Sequence, residues 1–196
     1  MNALAGLYYT IHNLIFVPLR HLDGVPLLGL RLYLAYPFYV AGMTKLSGIE
    51  NTIAWFGNPD WGLGLPFPTL MAYMAAYTEF IGAILLVIGL ATRWISIPLI
   101  VTMLVAIFAV HWQHGWFAIA QSSDPEVAVR LSAAKDLLQE HGRYSWLTEK
   151  GNFVILQNGI EFAVTYLAML LVLVFYGGGR YVSADYYLSK LFPEQK

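Results

Sequence analysis

The chain has 196 residues, 58% of them hydrophobic and only 12% charged, about half the charged share of an ordinary soluble domain. A net charge of −1 offers no basic face for nucleic acid, and the absence of cysteine excludes an internal disulfide, a thiolate nucleophile or a Cys-ligated metal. Charge this sparse, set among long apolar runs, points to an all-α integral membrane protein.

The N-terminus, "MNALAGLYYTIHNLIFVPLR", has no basic stretch before its apolar residues and no small-residue cleavage site, so a cleaved signal peptide is not expected. Leu4, Leu7, Tyr8, Ile11, Leu14 and Ile15 recur at helical spacing opposite Asn2, Thr10, His12 and Asn13. That pattern predicts an N-terminal interfacial helix, with a fifth span as the alternative. Four segments then approach the ~20 apolar residues needed to cross a hydrocarbon core: about 26–46, 68–90, 94–112 and 153–176. The expected fold is a four-transmembrane-helix bundle forming one domain over 1–196. Between the first two spans, Trp55, Phe56 and Trp61 suit an interfacial belt. The second and third are joined by a turn so short, around Thr92 and Arg93, that they must be antiparallel neighbours.

A surface helix is expected over about 124–142, with Asp124 as N-cap, Pro125 at the first helical position and Gly142 at the C-terminal cap. Val127, Leu131, Ala134 and Leu138 form one stripe, and Glu126 faces Arg130 at i,i+4. The stripe suits a helix lying on membrane or protein, or a docking face for another subunit. Arg20, Arg31, Arg93, Arg180, Lys190 and Lys196 fall on the side of the termini. Lys45, Arg130, Lys135, Arg143 and Lys150 fall on the other, four of them in a long segment that counts for less. The expected setting is a bacterial inner membrane with both termini cytoplasmic.

Polar residues inside the spans are the candidate site. At ~1.5 Å per residue, Glu79 lies about 15 Å along the second span and Glu161 about 12 Å into the fourth, with Asn158 one turn above it. His111 and His114 close the third span and Lys45 the first, while Arg31 has a stem long enough to climb toward Glu79. If these groups face one another, they form a cluster of acids, imidazoles and cations. Quinone reduction needs hydrogen-bond donors for the carbonyls and acids that relay protons. Glu79 and Glu161 are the candidate proton-handling residues, and Arg31, Lys45, His111, His114 and Asn158 the candidate quinone-binding ones. The bland alternatives are snorkelling cations at Lys45 and Arg93, interhelical glue at Asn158 and a structural ion pair between Glu79 and Arg31. A copper or iron site at His111 and His114 is a competing possibility without a fixed third ligand. No metal site is otherwise expected.

Three stretches, "LRLYLAYPFYVAGMTKLSG", "YTEFIGAILLVIGLATRW" and "FYGGGRYVSADYYL", together resemble the DoxX family of small four-helix membrane proteins. Arg31, Lys45, Glu79, Arg93 and Asp185 sit at positions that match its motifs. The long segment before "GNFVILQNGIEFAVTYL" is similar to the branch encoded with maturation systems for copper-binding ribosomal peptides, of the bufferin and oxazolone type. The resemblance implies a membrane redox subunit that passes electrons to quinone in connection with that maturation. Without cysteines it would need a soluble or peptide redox partner, alongside maturation enzymes and membrane lipid, with a homo-oligomer as an open alternative. The non-enzymatic alternative is a membrane anchor that docks the maturation enzymes.

Overall fold

A computed structural model describes residues 3–192; Asn2 and Lys196, counted above, lie outside them. The described residues are helical throughout, apart from loops and one isolated bridge between Ile119 and Leu156. They fall into two compact units, residues 3–102 with 166–192 and residues 103–165.

In the first unit, α1 (Ala3–Leu19) is the expected N-terminal helix, but it is not one-sided. Tyr9, Phe16 and Val17, off the expected stripe, are exposed like Leu4 and Leu14 on it. Helix α2 (Gly24–Ser47) ends where the Gly48 N–H donates to the Thr44 carbonyl. Helix α3 (Ile49–Gly57) then begins at once. It was not expected, and it corrects the belt: Phe56 is buried rather than interfacial. Its end is tied to the following loop by Leu63 N–H donating to the Trp55 carbonyl and Leu65 N–H to that of Phe56.

Helix α4 (Pro68–Ile88) starts on a proline, whose missing N–H costs nothing in a first turn, and stops at Gly89, left-handed at φ 71°. Helix α5 (Thr92–Val105) follows after three residues, Gly89 to Ala91, and continues through a π turn to His111 and a tighter turn to His114. Helix α8 (Glu161–Tyr176) and the short α9 (Ala184–Leu191) complete the chain's helices here. Helices α2 and α4 run antiparallel and approach closely, because a Cβ on Gly42 would lie 2.6 Å from the Phe80 nitrogen. Leu34 and Phe38 of α2, Ala76 and Leu86 of α4, Leu99 of α5, and Leu170 and Leu173 of α8 form the buried core.

Among the described residues, two helices are long and apolar enough to cross a membrane, α4 and Thr92–His114. Helix α2 has the length, but Arg31, its tyrosines and its prolines dilute its apolar character. The fourth expected span is corrected: α8 is apolar but has 16 residues, and 153–160 is not helical.

In the second unit, α6 (Pro125–His141) matches the expected surface helix, capped by Asp124 accepting from the Glu126 N–H and closed at Gly142. Arg130 pairs with Glu126 as expected. Val127, Leu131 and Leu138 are partly covered, whereas Ala134 is exposed. A single turn, α7 (Tyr144–Leu147), follows.

Candidate functional site

The buried ion pair lies between α2 and α4. Lys45 Nζ donates to Glu79 Oε2 at 2.6 Å, with 24% of the lysine side chain and 6% of the glutamate side chain exposed. Glu79 is the twelfth of the 21 residues of α4, about 17 Å along it. Lys45 reaches that depth because α2 ends part-way along α4, and α3 packs on α4 where α2 has stopped. Lys45 is therefore no snorkelling anchor at a span end, as its place near the end of an apolar run suggested. Its Thr52 neighbour donates to the Lys45 carbonyl at 3.4 Å and tightens the join between α2 and α3.

Arg31 does not pair with Glu79. It is fully buried, and its guanidinium donates to the carbonyls of Leu86 (3.0 Å) and Val87 (3.4 Å) at the end of α4 and of Val182 (2.7 Å) in the C-terminal segment. A cation on the last carbonyls of a helix meets both their unfilled acceptors and the negative end of the helix dipole. Gly89 must be glycine twice over, for its positive φ and because a Cβ there would lie 2.0 Å from Arg31 Nη1. Across the same turn, the Asp185 carboxylate accepts from the Ala91 N–H (2.6 Å) and the Thr92 N–H (2.8 Å), capping α5 from a remote part of the chain. The Asp185 N–H in turn donates to the Gly89 carbonyl at 3.0 Å. Arg31, Gly89, Thr92 and Asp185 thus form a structural clasp at the α4–α5 turn. The Lys45–Glu79 pair places two oppositely charged heads against each other between α2 and α4 of this unit.

The second unit holds the other candidates. His111 Nδ1 is 2.8 Å from the Asn158 carbonyl oxygen, while the Gln157 side-chain amide donates to the His114 carbonyl at 2.8 Å. Asn158 is a left-handed loop residue, φ 60°, not a helical residue one turn above Glu161. Glu161 stands at the first position of α8, and its Oε2 accepts from the Ala118 N–H at 3.0 Å. The expected 12 Å of helix before it is therefore absent. Gly159 packs so tightly that a Cβ would lie 2.5 Å from the Phe117 carbonyl oxygen, so 115–118 and 157–161 are locked together. Among the described residues, no three His, Cys, Asp or Glu side chains come together as a metal-binding set. The seven expected site residues are thus divided, with Arg31, Lys45 and Glu79 in one unit and His111, His114, Asn158 and Glu161 in the other.

Among the described residues, α4 and Thr92–His114 are long and apolar enough to cross a membrane, and α4 carries one member of the buried ion pair. Residues 26–112, which carry both Lys45 and Glu79, match the family model described as DoxX. The chain is 40% identical to "Putative oxidoreductase CatD" of Bacillus subtilis over 81 residues, 41% of this chain and 56% of that protein. It is 25% identical over 175 residues to an uncharacterized protein of Haemophilus influenzae, covering 87% of this chain and 88% of that one. The chain thus spans little more than half the length of CatD. No solved structure matches it.

Proposed function

We propose that the whole chain is a DoxX-type subunit of a redox system in the bacterial cytoplasmic membrane, with both termini cytoplasmic, and that it passes electrons to quinone at the Lys45–Glu79 pair. The 2.6 Å contact between these heads, deep within α4, is the observation that carries this reading. The likeness to CatD, named a putative oxidoreductase, supports the same class of chemistry. A quinone takes up two electrons and two protons to become a quinol. Lys45 supplies an ammonium donor for a carbonyl oxygen, whose negative charge grows during reduction. Glu79 holds and passes protons at the same point, within reach of Lys45. The chain has no cysteine, so the electrons come from a soluble or peptide partner. By its likeness to the DoxX proteins encoded with copper-binding peptides, we place that partner in the maturation of such a peptide.

Protein purified in mild detergent should carry extractable quinone, or bind added ubiquinone or menaquinone saturably, and Glu79→Gln should lower that binding at least tenfold. Chromatography of the extracted lipid measures it. A quinone-free protein that binds neither compound defeats the assignment.

A second reading, a docking anchor for maturation enzymes, is favoured by the outer face of α6. Val129 and Leu137, two turns apart and 70% and 60% exposed, leave an apolar strip uncovered there. Under it, Val129→Glu with Leu137→Glu should abolish co-purification of the enzymes, and Glu79→Gln should not. Undiminished co-purification from the Val129/Leu137 variant rejects docking at this face.

A further inference from the structure

An open cleft of about 840 Å³ lies beside the α4–α5 turn, walled by the start of α2, the start of α5, the glycine run and α9. Arg93 and Arg180 line it. Arg93 makes no ion pair or hydrogen bond among the described residues, and Arg180 has only the exposed Asp23 at 3.7 Å. Asp185 also borders the cleft, but both its oxygens are engaged by the Ala91 and Thr92 N–H groups. Asp23, the other carboxylate on the cleft, faces Arg180, so Arg93 is the cation left free for a ligand there.

The floor is built for close approach. Gly177, Gly179 and Tyr181 take positive φ at alternate positions, 74°, 92° and 61°, the alternation that turns successive N–H groups into an anion-holding concavity. The N–H groups of Gly178 and Gly179 donate to no backbone carbonyl among the described residues. Beneath Gly178, Thr92 Oγ1 is fully buried without a hydrogen-bond partner, and a Cβ on Gly178 would lie 2.8 Å from it. The rim carries exposed Trp94 and Tyr176, at the start of α5 and the end of α8. Aromatic residues at the ends of apolar helices mark the depth of lipid headgroups.

We propose that this cleft binds the phosphodiester of a membrane phospholipid, held by Arg93, Arg180 and the glycine-run amides, with Trp94 and Tyr176 against its glycerol and upper chains. Arg93 and the loop amides supply the paired donors that a phosphate's oxygens accept. The proposal rests on α4 and α5 lying in a membrane, and not on the chemistry of Lys45 and Glu79.

Native mass spectrometry of detergent-purified protein, titrated with short-chain phosphatidylglycerol or phosphatidylethanolamine, tests it, with inorganic phosphate as the second arm. Saturable binding of the lipids, weakened at least tenfold by Arg93→Gln and unchanged by Lys135→Gln on α6, is the expected result. Arg93→Lys should fall between Arg93→Gln and the parent protein, because it keeps charge but loses the two-pronged donor. Inorganic phosphate binding as tightly as the lipids overturns the lipid assignment in favour of a free phosphate site. Lipid retention that falls equally in Arg93→Gln and Lys135→Gln, or in neither, overturns the site. A melting measurement on each variant separates loss of ligand from loss of fold, and Arg180→Gln repeats the test if Arg93→Gln does not fold. Quinone content, read in the same preparations, should be unchanged by Arg93→Gln.

Discussion

Lys45→Met and Glu79→Met should each melt well below the parent protein in detergent, and the double variant Lys45→Met/Glu79→Met should regain most of that loss while binding no quinone. Removing one member of a buried pair strands a charge where neither water nor a partner can solvate it, at about 3–5 kcal/mol. Replacing both by apolar groups of similar volume removes the desolvation cost with the attraction and is often neutral. Lys45 is a quarter exposed, so the lower end of that range applies to stranding it, and the better buried Glu79 should be the more damaging survivor. Thermal unfolding of the three variants, beside their quinone content, separates two roles. A double variant that is stable but quinone-free assigns the pair to function. One as unstable as the singles assigns it to holding α2 on α4, and the proposed site loses its basis.

Arg31→Met should be at least as damaging, and Arg31→Lys should not rescue it. The guanidinium uses one nitrogen for the Leu86 carbonyl and another for that of Val182, a fork that a single ammonium cannot reproduce. Charge-assisted bonds of this kind are worth about 1.5–3 kcal/mol each, so the loss should reach about 3 kcal/mol or more. It should be local before it is global, because Arg31 joins the end of α4 to the segment that carries Asp185. Limited proteolysis should therefore open the loop around 177–183 in Arg31→Lys at temperatures where the parent resists. Were Arg31 a quinone ligand instead, Arg31→Lys would weaken quinone binding without lowering the melting temperature or exposing that loop.

The contrast between these two cations shows where sequence and structure part. Both lie in α2, and both are long enough to reach α4. Depth counting along separate helices sent Arg31 toward Glu79 and left Lys45 at a membrane surface. It assumed that each apolar run is one span and that every span begins and ends at the same level. Helix α2 instead ends part-way along α4, and α3 takes its place, which lowers Lys45 to the level of Glu79. The same assumption misplaced Glu161, because 153–160 is apolar enough to pass for a helix but is tied down as a loop against 115–120. Hydropathy measures how apolar a segment is, and hydrogen bonds made to distant carbonyls decide whether it is helical.

The sequence by itself determined the helical class, the two strongest apolar helices, both caps of α6 and that Glu79 is an acid set inside an apolar helix, because each follows from local composition, spacing or a single residue's chemistry. Only the tertiary structure decided which cation meets Glu79, that Arg31 and Asp185 close the α4–α5 turn, and that Arg93 and Arg180 share a cleft. Those outcomes depend on helix register and on pairings between residues from 34 to 151 positions apart, and no local pattern encodes either.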